Sequence, residues 1–420
     1  MSDSTHATWP LWQRILFRFT FLLLGMLLLT FPYHRPYLPD FGVLLSPITV
    51  MLADWAALHL WGISFKYLPE IANDGVLLYT HVANTVVLAL VGTGIWSWFD
   101  RKRGAYSQAH YLFRVGVRYF LATAMLTYGL VKVFKFQFYL PEPVTLYTDL
   151  GEVPRDLLFW STMGTSRSYS IFTGSLEVLA GLLLLGRRTT LVGALLGLGI
   201  MANVLAINLS FDISVKVFSM FLCVLFAVLI APSGLRVWDF FLGRPSQVTK
   251  LWEPQWHPGW RRIAHIAAKT FVVSILLFDA LAPYVSTGNF NDDLAPRPPF
   301  HGAYKVTEFV RNGDSLAPDL RMESRWRRVF VHRKGFFDIQ TMDDKIHDYV
   351  LEWDTAAKQI RFLDPATLAF GDFEYVTRSD STLQLSGLMN ADTLAVELKM
   401  MDWRKLPLLQ GEFHWTSDPF

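Results

Sequence analysis

Apolar residues run in long blocks through the first two thirds of the chain and alternate with polar ones through the last third. A helix that crosses a bilayer needs about 20 mainly apolar residues. Seven blocks meet that need, at 15–31, 76–98, 112–134, 171–185, 191–209, 214–230 and 263–284. The block at 171–185 is short, so its helix is expected to begin nearer residue 165. The first block has no small-residue cleavage site before Pro32 and reads as an uncleaved signal anchor. Phe41–Trp61 is also apolar but holds Pro47 and Asp54. It is expected to form an interfacial or re-entrant amphipathic helix, with Trp55 and Trp61 at headgroup level. The stretch 135–165, rich in Pro, aromatic and acidic residues, is expected to cap the bundle on its outer side.

Beyond residue 285 the pattern changes. Residues 286–301 are dense in Asn, Asp, Pro and Gly, which is linker chemistry. Short alternating segments follow at 303–310, 326–332, 336–341, 345–353, 359–363, 373–378, 382–388, 393–400 and 411–416. Turn residues separate them, as at Asn312-Gly313-Asp314 and Asn390-Ala391-Asp392. Ile360 with Phe362, and Leu383 with Leu385, place apolar side chains on one face. The expectation is an antiparallel β sandwich or small barrel. Such a barrel has either a packed core or a lipid-like ligand inside, and the packed core is the simpler expectation. The fold class is therefore a mainly α polytopic membrane bundle with a β-rich C-terminal domain. The expected divisions are 1–110, 111–235, 236–285, 286–301 and 302–420.

Composition agrees. Of 420 residues, 52% are hydrophobic and 18% charged, and the mean hydropathy is +0.28. Soluble domains carry about 25% charged residues, so disorder is excluded and a wholly soluble enzyme disfavoured. The net charge of +2 conceals a division. Residues 1–284 hold 22 Lys and Arg against 15 Asp and Glu, which leaves 16 against 21 for the rest. The basic residues gather on alternate loops: Arg14 and Arg18; Arg101, Lys102 and Arg103; Arg187 and Arg188; then Arg236, Arg244, Lys250, Arg261 and Arg262. The positive-inside rule then predicts a cytoplasmic N-terminus and an extracytoplasmic C-terminal domain, in a bacterial inner membrane. Nucleic acid is not an expected partner, because the tail is acidic and the cations sit at membrane edges. Cys223 is the only cysteine, which excludes an intramolecular disulfide, CxxC redox chemistry and a cysteine zinc cage. No metal site is expected. No P-loop, HExxH, GxSxG or dinucleotide fingerprint occurs.

Polar residues inside the spans carry the functional signal, because an ionisable group at mid-membrane costs about 3 kcal/mol or more. Counted from the helix ends, His81, Asn84, Tyr128, Lys132, Glu177, Asn203, Asn208, Asp212, Lys216 and Asp279 all fall between mid-depth and the outer face. Arg118 lies near the inner end. The shared depth suits an outward-facing polar pocket. Structural roles remain open for several: Lys132 and Lys216 can snorkel, and Asp212 can cap the helix that follows it. Glu177 lies deepest and is the strongest candidate for a buried role. His81 and His265 stand at opposite ends of the membrane, which argues against a bis-His haem. Gly193 and Gly197 form a GxxxG pattern, expected to serve internal packing rather than dimerisation.

Three stretches carry a family resemblance: RYFLATAMLTYGLVKVFKFQF at 118–138, FTGSLEVLAGLLLLGRRTT at 172–190, and 203–219 with Asn203, Asn208, Asp212 and Lys216. Over about residues 110–235 the chain resembles the DoxX-like membrane proteins, in a long form with extra N-terminal helices and a β-rich tail. The resemblance implies a four-helix core from the third to the sixth span. The family takes its name from a subunit associated with a terminal quinol oxidase, and relatives are linked to thiol redox, thiosulfate metabolism or cargo handling. It implies no catalytic residue set, and the single cysteine departs from any thiol-redox version. Two functional expectations follow. In the first, Glu177, Tyr128, Lys132, Asn203, Asn208, Asp212, Lys216, His81 and Asp279 line a pocket for a quinone or another lipophilic ligand. An electron-transfer partner then supports a membrane redox process. In the second, a non-enzymatic envelope protein uses its bundle to anchor a β domain that binds a partner or a lipid.

Overall fold

The computed structural model describes residues 8–31, 40–64, 73–245, 252, 254, 259–333, 335–363, 370–379 and 381–411. The chain divides into two compact units, Met1–Phe136 with Ser168–Phe290, and Gln137–Arg167 with Asn291–Phe420.

The first unit is helical: α1 (Leu11–Thr30), α2 (Phe41–Trp61), α3 (Val76–Phe99) and α4 (Ser107–Val133). Two short helices of the second unit follow in sequence, α5 (Pro143–Tyr147) and α6 (Arg155–Thr165). The bundle then resumes with α7 (Arg167–Leu185), α8 (Thr190–Ser210), α9 (Lys216–Ile230), α10 (Gly234–Phe241) and α11 (Trp260–Thr287). Among the described residues, seven helices are long and apolar enough to cross a membrane: α1, α2, α3, α7, α8, α9 with its continuation, and α11. Large apolar side chains such as Val87, Val91, Val192, Phe271 and Phe278 face outward, as lipid contact requires.

Two helices differ from the sequence pattern. α4, read as a span, is not among the seven, since it carries His110, Arg114, Arg118 and Lys132. It is nevertheless buried without a break over 120–126. A helix enclosed on every side lies inside a bundle. α2 is one continuous helix through Pro47. The carbonyl of Val43, deprived of its donor by the proline, accepts from the Ser46 hydroxyl at 2.8 Å. The expected amphipathic face is absent. Ala53, Ala56 and Ala57 face inward, while Val43, Leu44, Ile48, Met51, Trp55 and Leu60 face outward. Small residues meet the protein and large apolar ones meet the surroundings, which is a membrane pattern. The flanks of α2 lie at one end of the bundle. Phe31 stacks on Phe221, and Asp74 accepts from the amides of Lys216 and Val217. Both therefore meet the first turns of α9.

The tightest crossing is between α4 and α7. A Cβ at Gly174 would stand 2.5 Å from the Gly129 carbonyl oxygen, and one at Gly129 2.7 Å from that of Gly174. The GxxxG pair packs internally, as expected: a Cβ on Gly197 would meet the Phe226 ring at 2.3 Å.

The second unit is a closed antiparallel barrel. Its strands are β1 (Gly302–Arg311), the two-residue β2 (Asp314–Ser315), β3 (Trp326–Val331), β4 (Phe336–Thr341), β5 (Ile346–Asp354), β6 (Gln359–Leu363), β7 (Phe370–Ser379), β8 (Thr382–Met389) and β9 (Asp392–Met400). Neighbours follow the order β2-β1-β3-β4-β5-β6-β7-β8-β9, and β1 pairs with β9 to close the ring. Closure removes exposed edges. An eight-stranded barrel is just wide enough to be filled by side chains. Phe337, Phe362 and Phe373 stack in sequence at 4.9 and 5.1 Å, with Trp326, Tyr304 and Phe309 beside them. Eight of the expected strands appear. The ninth, at 411–416, lies beyond Gly411 outside the described residues, as does Lys250.

Of residues 135–165, expected to cap the bundle, those from Gln137 onward belong to the barrel unit. Tyr147 stacks on Phe330, which points outward from β3, at 6.0 Å. Val144, Leu146 and Tyr147 join a small apolar cluster with Ala303 and Trp403. The expected linker is tied in as well, since Asp293 accepts from the Leu140 amide at 2.8 Å.

Candidate functional site

The bundle brings three of the nine candidate residues together. Lys132 on α4 donates to Glu177 on α7 at 2.8 Å, with side-chain exposures of 9% and 2%. The Lys132 ammonium stands 5.8 Å from the Tyr128 ring centroid. This meeting follows from the glycine crossing, which draws the two backbones close enough for the side chains to touch. The Ser170 hydroxyl adds a bond to the Lys132 carbonyl.

The other candidates are dispersed. His81 is buried with its Nε2 2.9 Å from the Thr30 hydroxyl. The Asn208 amide donates to Ser219. Asn203 is exposed, on the side of α8 away from the buried face. Asp279 is buried on α11, whose Tyr284 packs on Phe134 and Phe136. Lys216 pairs with Asp212 at 2.7 Å at the rim.

Asp212 does not cap α9. Its side chain is 81% exposed and its φ is +56°. Asp74 is the cap, accepting from the Lys216 and Val217 amides at 2.6 and 3.1 Å. Nothing local in the sequence announces a cap 142 positions away. A second network was also missed. Arg18, counted only as a loop charge, is buried and donates to Tyr106 at 2.7 and 2.9 Å, to Ser97 at 2.7 Å and to the Asp100 carbonyl at 3.0 Å. Its signal was an arginine placed among Phe17, Phe19 and Phe21, where only a satisfied cation can stay.

A substantial cavity lies elsewhere, within the barrel unit. It is a cleft of about 610 Å³ between residues 137–161, the turn after β3, and the outer faces of β4 and β5. Strand alternation explains its lining. Phe337 and Ile339 point into the core, so Phe336 and Asp338 point out. Tyr349 and Leu351 likewise point in, leaving Asp348 outside. Asp338 and Asp348 stand directly opposite on adjacent strands. Like charges so placed repel, and His332 offsets them through its ion pair with Asp338. On the facing wall, Glu142 meets His301 at 3.1 Å and the Arg333 Nε at 3.1 Å. Arg333 also pairs with Asp292 and lies over the Tyr139 ring. Trp160, Leu157 and Val153 complete an apolar side. Sequence reasoning did not find this cleft, because its walls are far apart in the chain: Glu142 and Arg333 are separated by 191 positions.

Its charges shift in opposite directions. Burial pushes the Glu142 carboxyl up, but the His301 hydrogen bond and the charges of His332, His301 and Arg333 outweigh it and hold the carboxyl below its usual value of 4.5. Burial pushes His332 down, but the Asp338 bond and the charges of Asp338, Glu142 and Asp348 raise it above 6.5. The Glu142 contribution to stability is thus complete above pH 4.5 and lost as pH falls through the lower folded value. The His332 contribution is complete below pH 6.5 and lost as pH rises through the higher folded value. Hydrogen exchange in β3–β5 is therefore expected to be slowest between those limits, after correction for intrinsic rates. In His332→Asn the alkaline loss should flatten. An unchanged alkaline limb would show that His332 does not supply it.

Among the described residues no group of His, Cys, Asp and Glu could hold a metal ion. No family model matches the chain, and no solved structure matches it. A relative in Bacillus subtilis (strain 168), "Uncharacterized protein YwoB", is 36% identical over 128 residues, covering 30% of this chain and 81% of the relative.

Proposed function

The chain belongs to the family of YwoB, and from that premise we propose that it is a non-enzymatic bacterial inner-membrane protein whose helix bundle anchors a ligand-binding β-barrel. The cleft of about 610 Å³ carries this reading, since small-molecule sites typically enclose about 300–1,000 Å³ and combine apolar walls with a few placed polar groups. Its carboxylates outnumber its cations, and Arg333 is already engaged by Glu142 and Asp292. The ligand is therefore one bearing amine and hydroxyl donors, with an apolar face to lie on Trp160. Basic residues on alternate loops support a cytoplasmic N-terminus and an extracytoplasmic barrel. Phe31 before α2 and Asp74 after it both meet the first turns of α9, which keeps the crossing count consistent with that arrangement. The helices α4, α7, α8 and α9 would be the DoxX-like core.

Glucosamine is a suitable probe for the full-length protein in detergent, read by saturation-transfer NMR. Saturable binding is expected, weakened about tenfold in Asp348→Asn and in Trp160→Ala. Absence of saturable binding, or binding by both variants as tight as that of the parent protein, would overturn this ligand class. A second reading, a bundle that binds a quinone in support of membrane redox, is favoured by the buried Lys132–Glu177 pair beside Tyr128. Near-stoichiometric quinone on the gently purified protein, measured by absorbance and mass spectrometry, would move the assignment to it.

A further inference from the structure

We infer that the turn between α7 and α8, together with α11, forms a binding site for the phosphate of an anionic phospholipid, independent of the function proposed above. A cavity of about 610 Å³ is lined by Gly186, Arg187, Arg188, Thr189 and Lys269. Three cations converge there from two separate parts of the chain, and the lining holds no carboxylate.

Arginines after a helix often bond its last carbonyls. Here two threonine hydroxyls also bond carbonyls at this turn. Thr189 donates to the Leu183 carbonyl at 2.6 Å and Thr190 to that of Gly186 at 2.8 Å. Positive-inside bias explains charge in this loop, but it does not explain why Lys269 should join it. Lys269 lies inside α11, nine residues and about 14 Å from its first residue at 1.5 Å per residue. It is half-buried, whereas Ala268 and Thr270 beside it are exposed. Its stem is thus partly packed, and it lines the same cavity as the arginines. Cations held together repel, and an anion seated among them relieves that repulsion.

A lipid rather than a soluble anion fits the surroundings. Leu182 on α7, Val192 on α8, and Ile266 and Phe271 on α11 are all exposed. They offer acyl chains an apolar surface leading away from the cations. Basic pockets between transmembrane helices on the cytoplasmic side are known to take anionic headgroups.

The test uses full-length protein in nanodiscs of phosphatidylethanolamine with increasing phosphatidylglycerol, followed by native mass spectrometry of retained lipid. Phosphatidylglycerol is expected to be retained at least about fivefold over its bulk share, with the preference lost in Arg188→Gln/Lys269→Gln and kept in Lys269→Arg. Arg188→Gln alone, an exposed change in a turn, is expected to weaken retention without loss of protein, so a folding failure of the double variant leaves the result readable. Equal retention by all variants would overturn the site. So would inorganic phosphate that displaces phosphatidylglycerol at millimolar concentration, which would mark a soluble anion as the occupant.

Discussion

Glu177→Gln is expected to destabilise the bundle by about 3 kcal/mol, the lower end of the cost of breaking a buried ion pair. The substitution removes the negative charge 2.8 Å from the buried Lys132 ammonium. The amide can still accept a hydrogen bond, which keeps the loss at the lower end of the range. Lys132→Met should cost as much or more, since a bare carboxylate then remains. The double change, Lys132→Met with Glu177→Met, is expected to recover most of the stability, because replacing both partners removes the uncompensated charge. Thermal unfolding of the purified variants, with membrane accumulation alongside, measures all three. A Glu177→Gln protein that accumulates normally and unfolds at the parental temperature, yet loses a bound quinone, would instead make the pair part of a ligand site.

Gly174→Ala should be nearly as damaging. The added Cβ would meet the Gly129 carbonyl oxygen at 2.5 Å and the Lys132 Cβ at 2.8 Å. A backbone oxygen on a packed helix cannot rotate away, so α4 and α7 must separate. Overpacking typically costs about 1–3 kcal/mol, and the upper end is expected because the same separation stretches the Lys132–Glu177 bond. Its effect should therefore be less than additive with that of Glu177→Gln. Gly116→Ala on α4 is the control. Nothing lies within 4 Å of its Cβ position, and a gain of up to about 1 kcal/mol is expected from helix propensity. Equal loss at the two positions would show that the crossing is not as tight as its geometry requires.

The two substitutions differ in how visible they were beforehand. Glu177 stood out as a carboxylate deep in an apolar run, and Lys132 was among the polar residues between mid-depth and the outer face. That they meet depends on helix rotation, and rotation is set by Gly129 and Gly174, which looked like any other glycines. Asn203 and Asp212 fell in the same outer half of the membrane yet face outward, because depth says nothing about the direction of a side chain.

Hydrophobic blocks and strict alternation determined, from the sequence alone, where the helices and strands lie. Burying an apolar face imposes periods of 3.6 and 2 on the residues themselves. The single cysteine and the charge division were equally local facts. Only the tertiary structure decided that α4 is enclosed, that α2 turns large apolar residues outward, that Asp74 caps α9, and that residues 137–161 build a cleft with β4, β5 and the turn before them. Each of these depends on contacts between residues far apart in the chain. A one-dimensional pattern records which face a residue prefers, and packing alone selects the neighbour that meets it.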